Sequence, residues 1–234
     1  MMPLTRIDLD DISSRLRRPF LMEQVARVDH FAVYAYLCEG ALARHRHLTQ
    51  DELFYVYSGL LSLDTDWGRR VLSPRQFCVV PRGLAHASAS IVRTVVVFFQ
   101  AQGDPERQNG HGRLRADERP DGLPHWSVAQ EVETLPEPYL PVHCVNVDEM
   151  SMRLVWCQGA TPWHAHPQHD ELLLVEDGRL DVCTEEGSVV LAPGQMVVVP
   201  RGHLHRLSSV QHTVVTSLIH GAVTPLEQMG REAC

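Results

Sequence analysis

Along the chain, runs of apolar, β-branched and aromatic residues recur at short intervals, each closed by a turn containing Gly, Pro or Asp. "HFAVYAYLCEG", "ELFYVYSGLLSLDT", "FCVVP" and "RTVVVFFQ" lie in the first half; "MRLVWCQG", "ELLLVEDGRLDVCT", "QMVVVP" and "HTVVTSLIH" lie in the second. This pattern predicts β-strands and an all-β sandwich or barrel. Helical periodicity is scarce. The best candidate is residues 8–18, where Ile12 and Leu16 share one face of a short helix. Between the halves, residues 103–124 are polar, rich in Gly, Pro and Arg, and aperiodic. They read as a linker or surface loop, with a structured lid as the alternative.

The polar residues that interrupt this pattern are unusual. "HRHLTQDELFYVYSG" (45–59) begins a strand-like run with His45, His47 and Glu52. On an extended strand the period of two points both imidazoles to one face. Buried together, such groups are costly unless paired or coordinated, and a divalent metal would satisfy all of them. Shifted by 119 residues, the stretch lands on "HAHPQHDELLLVEDG" (164–178), so that His45 meets His164, His47 meets His166, Asp51 meets Asp170 and Glu52 meets Glu171. "VLSPRQFCVVPRGLAH" (71–86) overlays "VLAPGQMVVVPRGHLH" (190–205) in the same register, and His86 meets His205. Two copies with so long a period indicate a duplicated domain rather than a solenoid.

These residues carry a resemblance. Each half resembles a cupin domain and the whole resembles a bicupin. The first cupin motif, a glycine before H-x-H, then a glutamate and a later glycine, matches "GALARHRHLTQDELFYVYSG" and "GATPWHAHPQHDELLLVEDG", with one residue fewer than usual before the first histidine. The second motif, a glycine, then P-x-G, then a histidine, fits "GQMVVVPRGHLH" in full. "RQFCVVPRGLAH" has Arg75 where the glycine belongs. The resemblance implies a double-stranded β-helix, jelly-roll-like barrel per half, over residues 1–102 and 125–234 with 103–124 as the linker. It also implies two metal sites: His45, His47, Glu52 and His86 in the first, His164, His166, Glu171 and His205 in the second. Three imidazoles and a carboxylate suit a divalent transition metal (Fe, Mn, Ni or Zn), up to two per chain, and leave two octahedral positions open.

Composition narrows the function. The net charge is −8 and 21% of residues are charged, so there is no overall basic surface for nucleic acid or anionic lipid. No apolar run approaches the roughly 20 residues of a membrane span, and the N-terminus lacks the order of a signal peptide. A cytoplasmic protein with a small-molecule partner is expected, and a homodimer is compatible with the sequence. The six cysteines contain no C-x-x-C pair and read as reduced, mostly buried hydrophobes, with Cys234 exposed. Two functions follow from the resemblance: a metal-dependent enzyme of dioxygenase type, with isomerase or decarboxylase as variants, or a non-catalytic small-molecule or metal-binding regulatory bicupin. His169, with no counterpart beyond Gln50, is the candidate acid/base, although a surface turn histidine would look the same. Asp51 and Asp170 are expected to serve the turns, and Arg82 and Arg201 to be solvated or to bind a substrate carboxylate. His169 and the intact Gly194 make the second site the expected seat of chemistry, and Arg75 implies a different or strained turn in the first barrel.

Overall fold

Each copy opens with a short arm that lies on the other copy's sheet, and this exchange organises the molecule. The computed structural model describes residues 3–102, 107–109 and 122–221. The chain begins with β1 (Ile7–Asp8) and α1 (Leu9–Arg15). It continues through β2 (Glu23–Val28), β3 (Phe31–Ala41), β4 (His45–His47), β5 (Glu52–Ser58), β6 (Leu61–Thr65), β7 (Gly68–Leu72), β8 (Gln76–Val80), β9 (His86–Ala101) and β10 (Arg107–Asn109). A second arm, β11 (His125–Ser127) and α2 (Val128–Glu131), precedes β12 (Val142–Val147), β13 (Met150–Ala160), β14 (Glu171–Asp177), β15 (Leu180–Thr184), β16 (Gly187–Leu191), β17 (Gln195–Val199) and β18 (His205–His220).

The strands form two sheets. The 10-stranded sheet joins β2 to β11, and the 8-stranded sheet joins β1 to β12–β18. Thus β1 pairs with β17 of the second barrel (Ile7 opposite Met196), while β11 pairs with β8 of the first (Trp126 opposite Phe77). The sequence separation of 119 holds at both pairings. Residues 125–127, at the expected start of the second domain, therefore hydrogen-bond into the first sheet. Most of the expected linker, and Cys234, lie outside the described residues.

The helix over 8–18 is realised as α1, capped by the Asp8 carboxylate, which accepts from the N–H groups of Asp10 and Asp11. Leu9, Ile12 and Leu16 pack into the central cluster between the barrels, with Leu53, Tyr55, Phe77, Leu172, Leu174 and Met196. The other face of each strand lines its own lumen. Phe54, Val56, Cys78 and Phe98 cluster in the first barrel, and Leu173, Val175, Val197 and Val215 in the second. Alternation along β5 and β14 thus sends one set of side chains to the interface and the other inward.

Arg75 makes the same turn as Gly194, with φ of 63° against 79°. The strain expected of an arginine there is present, but its guanidinium reaches across the interface, with Nε 3.3 Å from Glu176 of the second barrel. Glu176 is buried and also accepts from Tyr55 Oη at 2.9 Å and Thr216 Oγ1 at 2.7 Å. The symmetric crossing pairs Gly194 with Tyr57 of the first barrel, whose hydroxyl would lie 2.8 Å from a Cβ at Gly194.

Candidate metal centres

His45 and His47 stand one residue apart on the same short strand, β4, and His45 pairs directly with His86 at the start of β9. Glu52 opens β5. These elements bring His45, His47, Glu52 and His86 together, with one donor atom from each within 4.8 Å of all the others. Donors about 2.1 Å from a common octahedral metal lie roughly 3 Å apart in cis and 4.2 Å in trans, so the spread fits one ion. The four residues are only 4%, 7%, 3% and 1% exposed, which closes the cluster to bulk water.

The imidazoles are oriented from behind. His45 Nδ1 lies 2.9 Å from the Ala43 carbonyl and His86 Nδ1 3.2 Å from that of Leu84. The second barrel repeats this, with His164 Nδ1 at 2.9 Å from the Pro162 carbonyl and His205 Nδ1 at 2.9 Å from that of His203. A proton on Nδ1 leaves the Nε2 lone pair facing the centre, the arrangement that metal-ligating histidines use. His47 Nε2 and His86 Nε2 stand 3.0 and 2.9 Å from the two Glu52 oxygens, yet Glu52 Oε2 is buried without a hydrogen bond of proper geometry. Buried lone pairs that converge and are left unsatisfied fit a cation. Burial alone would raise the Glu52 carboxyl; the charges and N–H groups of His86 and His47 outweigh it and hold the group far below its usual range. Burial would lower His86, and Glu52 raises it on balance.

The second cluster is looser. His164, His166 and His205 form the mutual 4.8 Å set. Glu171 Oε2 lies 3.3 Å from His166 Nε2 and 3.5 Å from His205 Nε2, and those three atoms have no hydrogen-bond partner. His205 is fully buried, whereas His164, His166 and Glu171 are half-buried. Burial raises the Glu171 carboxyl, but hydrogen bonding and charge from His166 and His205 bring it down to about 2. The hydrogen bond to Glu171 raises His166.

His169 stacks on His166 with ring centroids 4.8 Å apart, and burial followed by the His166 charge lowers its pKa. It is therefore beside the second cluster and outside the mutual donor set. His203 faces Glu186, 3.0 Å away, instead of the cluster. Arg82 is in the turn, with its N–H bonded to Asp51. Arg44 is held by Asp64 and Asp66. Cys38, Cys78 and Cys157 are buried free thiols, and Cys144 and Cys183 are free and half-buried.

Beside the first cluster lies a cavity of about 80 Å³, lined by Phe20, Met22, Tyr36, Phe54, Phe98 and Ser88 together with His45, Glu52 and His86. Tyr36 and Ser88 both line it, and burial keeps the Tyr36 hydroxyl protonated well above the usual range. Phe20 lines it at φ 60° with its N–H on the Leu37 carbonyl (2.8 Å); Tyr139, at φ 61°, repeats the contact on Trp156 (2.8 Å). Alternation from Glu52 places Phe54 in the lumen, as found, but Phe20, Tyr36 and Tyr139 were not singled out from the sequence. The signals were the alternation of Tyr34, Tyr36 and Cys38 and the paired tripeptides "PFL" (19–21) and "PYL" (138–140).

The geometry is that of β-barrels with clusters that could hold a metal, and comparison with known proteins agrees on the fold. A cupin-domain family model matches residues 151–219. The uncharacterized protein YdbB of Bacillus subtilis is 30% identical over 95 residues, covering 40% of this chain and 81% of that protein. The chain belongs to the cupin family. Among solved structures, a cupin 2 conserved barrel domain protein from Leptotrichia buccalis aligns over 94% of this chain and 98% of its own, with a TM-score of 0.68 at 10% identity. Salicylate 1,2-dioxygenase from Pseudaminobacter salicylatoxidans aligns over 99% of this chain and 86% of its own, with a TM-score of 0.69 at 11% identity. A variant of it in complex with gentisate gives a TM-score of 0.71 at 11% identity, covering 99% and 84%. These likenesses establish the barrel pair as the shared architecture. No helix among the described residues is long and apolar enough to cross a membrane.

Proposed function

We propose that the chain is a metal-dependent enzyme of dioxygenase type acting on a small aromatic compound, with the first barrel as its reaction chamber. The observation that carries this reading is the junction of a buried four-donor cluster with an aromatic-lined cavity of about 80 Å³. A divalent transition metal held by His45, His47, Glu52 and His86 would supply Lewis acidity and open coordination positions. The chain's own residues do the rest. Phe20, Phe54 and Phe98 bind a ring and exclude water. The protonated Tyr36 hydroxyl donates a hydrogen bond to an oxygen substituent. That salicylate 1,2-dioxygenase has been seen with gentisate supports hydroxylated aromatic acids as the first compounds to test. The second barrel, with His164, His166, Glu171 and His205, is read as a further metal site, where His169 is the proton carrier. A cytoplasmic location and a homodimer belong to the same reading.

The test is oxygen uptake by metal-stripped protein reconstituted separately with Fe(II), Mn(II), Ni(II) and Zn(II), against a panel of hydroxylated benzoates. Turnover with one of the redox-active ions should vanish in His47→Ala and survive in His164→Ala. The opposite pattern would move the chemistry to the second barrel. No uptake with any pairing would favour the non-catalytic binding protein.

A further inference from the structure

Four aspartates outside the candidate ligand set join the two barrels directly behind the clusters. Asp51 precedes Glu52, and its Oδ1 accepts the N–H of Arg82 at 2.9 Å, in the turn that leads to His86. In the same turn the N–H of Gly83 reaches the His47 carbonyl at 2.6 Å. These two bonds tie β4, the start of β5 and the approach to β9 into one unit.

Asp51 is itself held from the opposite barrel. Its N–H donates to both carboxylate oxygens of Asp148, at 3.2 and 3.1 Å, and the N–H of Asp148 donates back to Asp51 Oδ2 at 3.1 Å. Asp148 forms the turn between β12 and β13, at φ 47°. The second barrel repeats the device. Asp170 precedes Glu171 and accepts the Arg201 N–H at 2.9 Å, while the Gly202 N–H reaches the His166 carbonyl at 2.8 Å. The Asp170 N–H donates to both oxygens of Asp29 at 3.2 Å, and the Asp29 N–H returns to Asp170 Oδ2 at 2.8 Å. Asp29 forms the β2–β3 turn, at φ 52°.

Asn, Asp and Gly all accept such a hairpin turn, so an aspartate at either turn is ordinary by itself. Turn chemistry does not account for the pairing: two carboxylates face each other, each accepting the other's backbone N–H, with Arg82 3.7 Å from each carboxylate in the first pair. We propose that Asp148 and Asp29 are positioning residues that set the metal affinity of the opposite barrel's cluster, Asp148 acting on the first and Asp29 on the second. The proposal rests on the metal reading above. Outer partners that orient ligands typically change metal affinity by about 10- to 100-fold when removed.

Glycine is the substitution of choice because it removes the carboxylate and accepts the positive φ. Co(II) titration by calorimetry on Asp148→Gly, in a His164→Ala/His166→Ala background that leaves only the first cluster, should show about tenfold weaker binding. In a His45→Ala/His47→Ala background, which leaves only the second cluster, the same variant should change affinity less than about twofold. Asp29→Gly should give the reverse. Asp148→Asn, which keeps an acceptor oxygen and tolerates the turn, should restore affinity to within about threefold. Should either double-histidine background not fold, the single variants His205→Ala and His86→Ala take its place, with the same crossed result expected. Equal effects on both clusters, an effect on the variant's own barrel, or none would overturn the proposal. An unaltered chain that binds no Co(II) would overturn the metal reading and this proposal with it, whereas two tight ions with an uncrossed effect would overturn this proposal alone.

Discussion

One rung inward from Glu52, the first barrel carries Phe54, Phe98 and Tyr34; the same register in the second barrel holds Leu173, Ser217 and Arg153. One rung deeper, Tyr36 is matched by Val155. The histidine and glutamate positions coincide across the repeat, while the side chains they face change in size, polarity and charge. Coordination constrains strand register, because a donor moved by one residue points to the opposite face. The pocket wall carries no such constraint, and two barrels on one scaffold have acquired different chambers. One is buried and aromatic; the other is half-buried, with the Arg153 charge felt at His166.

The sharpest break of this comparison is removal of one ligand at a time. His86→Ala should weaken metal binding at the first cluster by more than about 100-fold and leave the second ion in place, and His205→Ala should do the converse. Elemental analysis after dialysis reads both, and loss of both ions from either variant would show the sites to be inseparable. Next in size is the interface crossing that replaces Arg75·Glu176 by Gly194·Tyr57. Gly194→Ala puts a Cβ 2.8 Å from the Tyr57 hydroxyl at φ 79°, and should cost about 2 kcal/mol in chemical denaturation. A neutral result would mean that Tyr57 moves aside freely.

A smaller effect is expected from importing the second chamber into the first. Phe98→Ser should weaken an aromatic ligand by about tenfold while leaving metal content unchanged, read by calorimetry on metal-loaded protein. The smallest concerns acid. Burial, then the Asp51 charge, push the Asp148 carboxyl up to about 6; the Asp51 N–H and Arg82 act against this, and Glu149 with it. A carboxyl raised in the folded state binds more protons there than in the unfolded chain, so its contribution is most favourable below about pH 4 and is lost as pH rises through 6. Asp148→Asn should therefore flatten the stability profile between pH 4 and 6, measured by thermal melts; an unchanged slope would show that Asp148 ionises normally.

Much of this was legible in the chain. The eight donors stand out because polar residues interrupt apolar strands twice in the same register, and the double barrel follows from strand spacing together with that repeat. The chamber was not legible to the same degree. Phe20 enters it from a positive-φ position outside any alternating run, so no period announces it. The arms were hidden because "IDLDDISSR" and "WSVAQEVET" share the geometry of strand and short helix without one identical position, and only the first has a side-chain cap. Arg75 announced a strained turn but not its partner. Its departure from the motif concerns Glu176 across the interface, a contact between residue types that the repeat does not preserve. The preference for the second site rested partly on that departure.

The exchanged arms have a further consequence for how such a molecule diverges. A chain with a single copy would have to lay its arm on a second, identical chain, and every change at the joint would then appear on both sides of a symmetric contact. Joining two copies in one chain raises the effective concentration of each arm for its neighbour to the millimolar range, so folding no longer depends on dilution. It also frees each half to change alone. An arginine can then answer a glutamate at one crossing while a tyrosine fills a glycine's space at the other, and one chamber can close while its twin stays open.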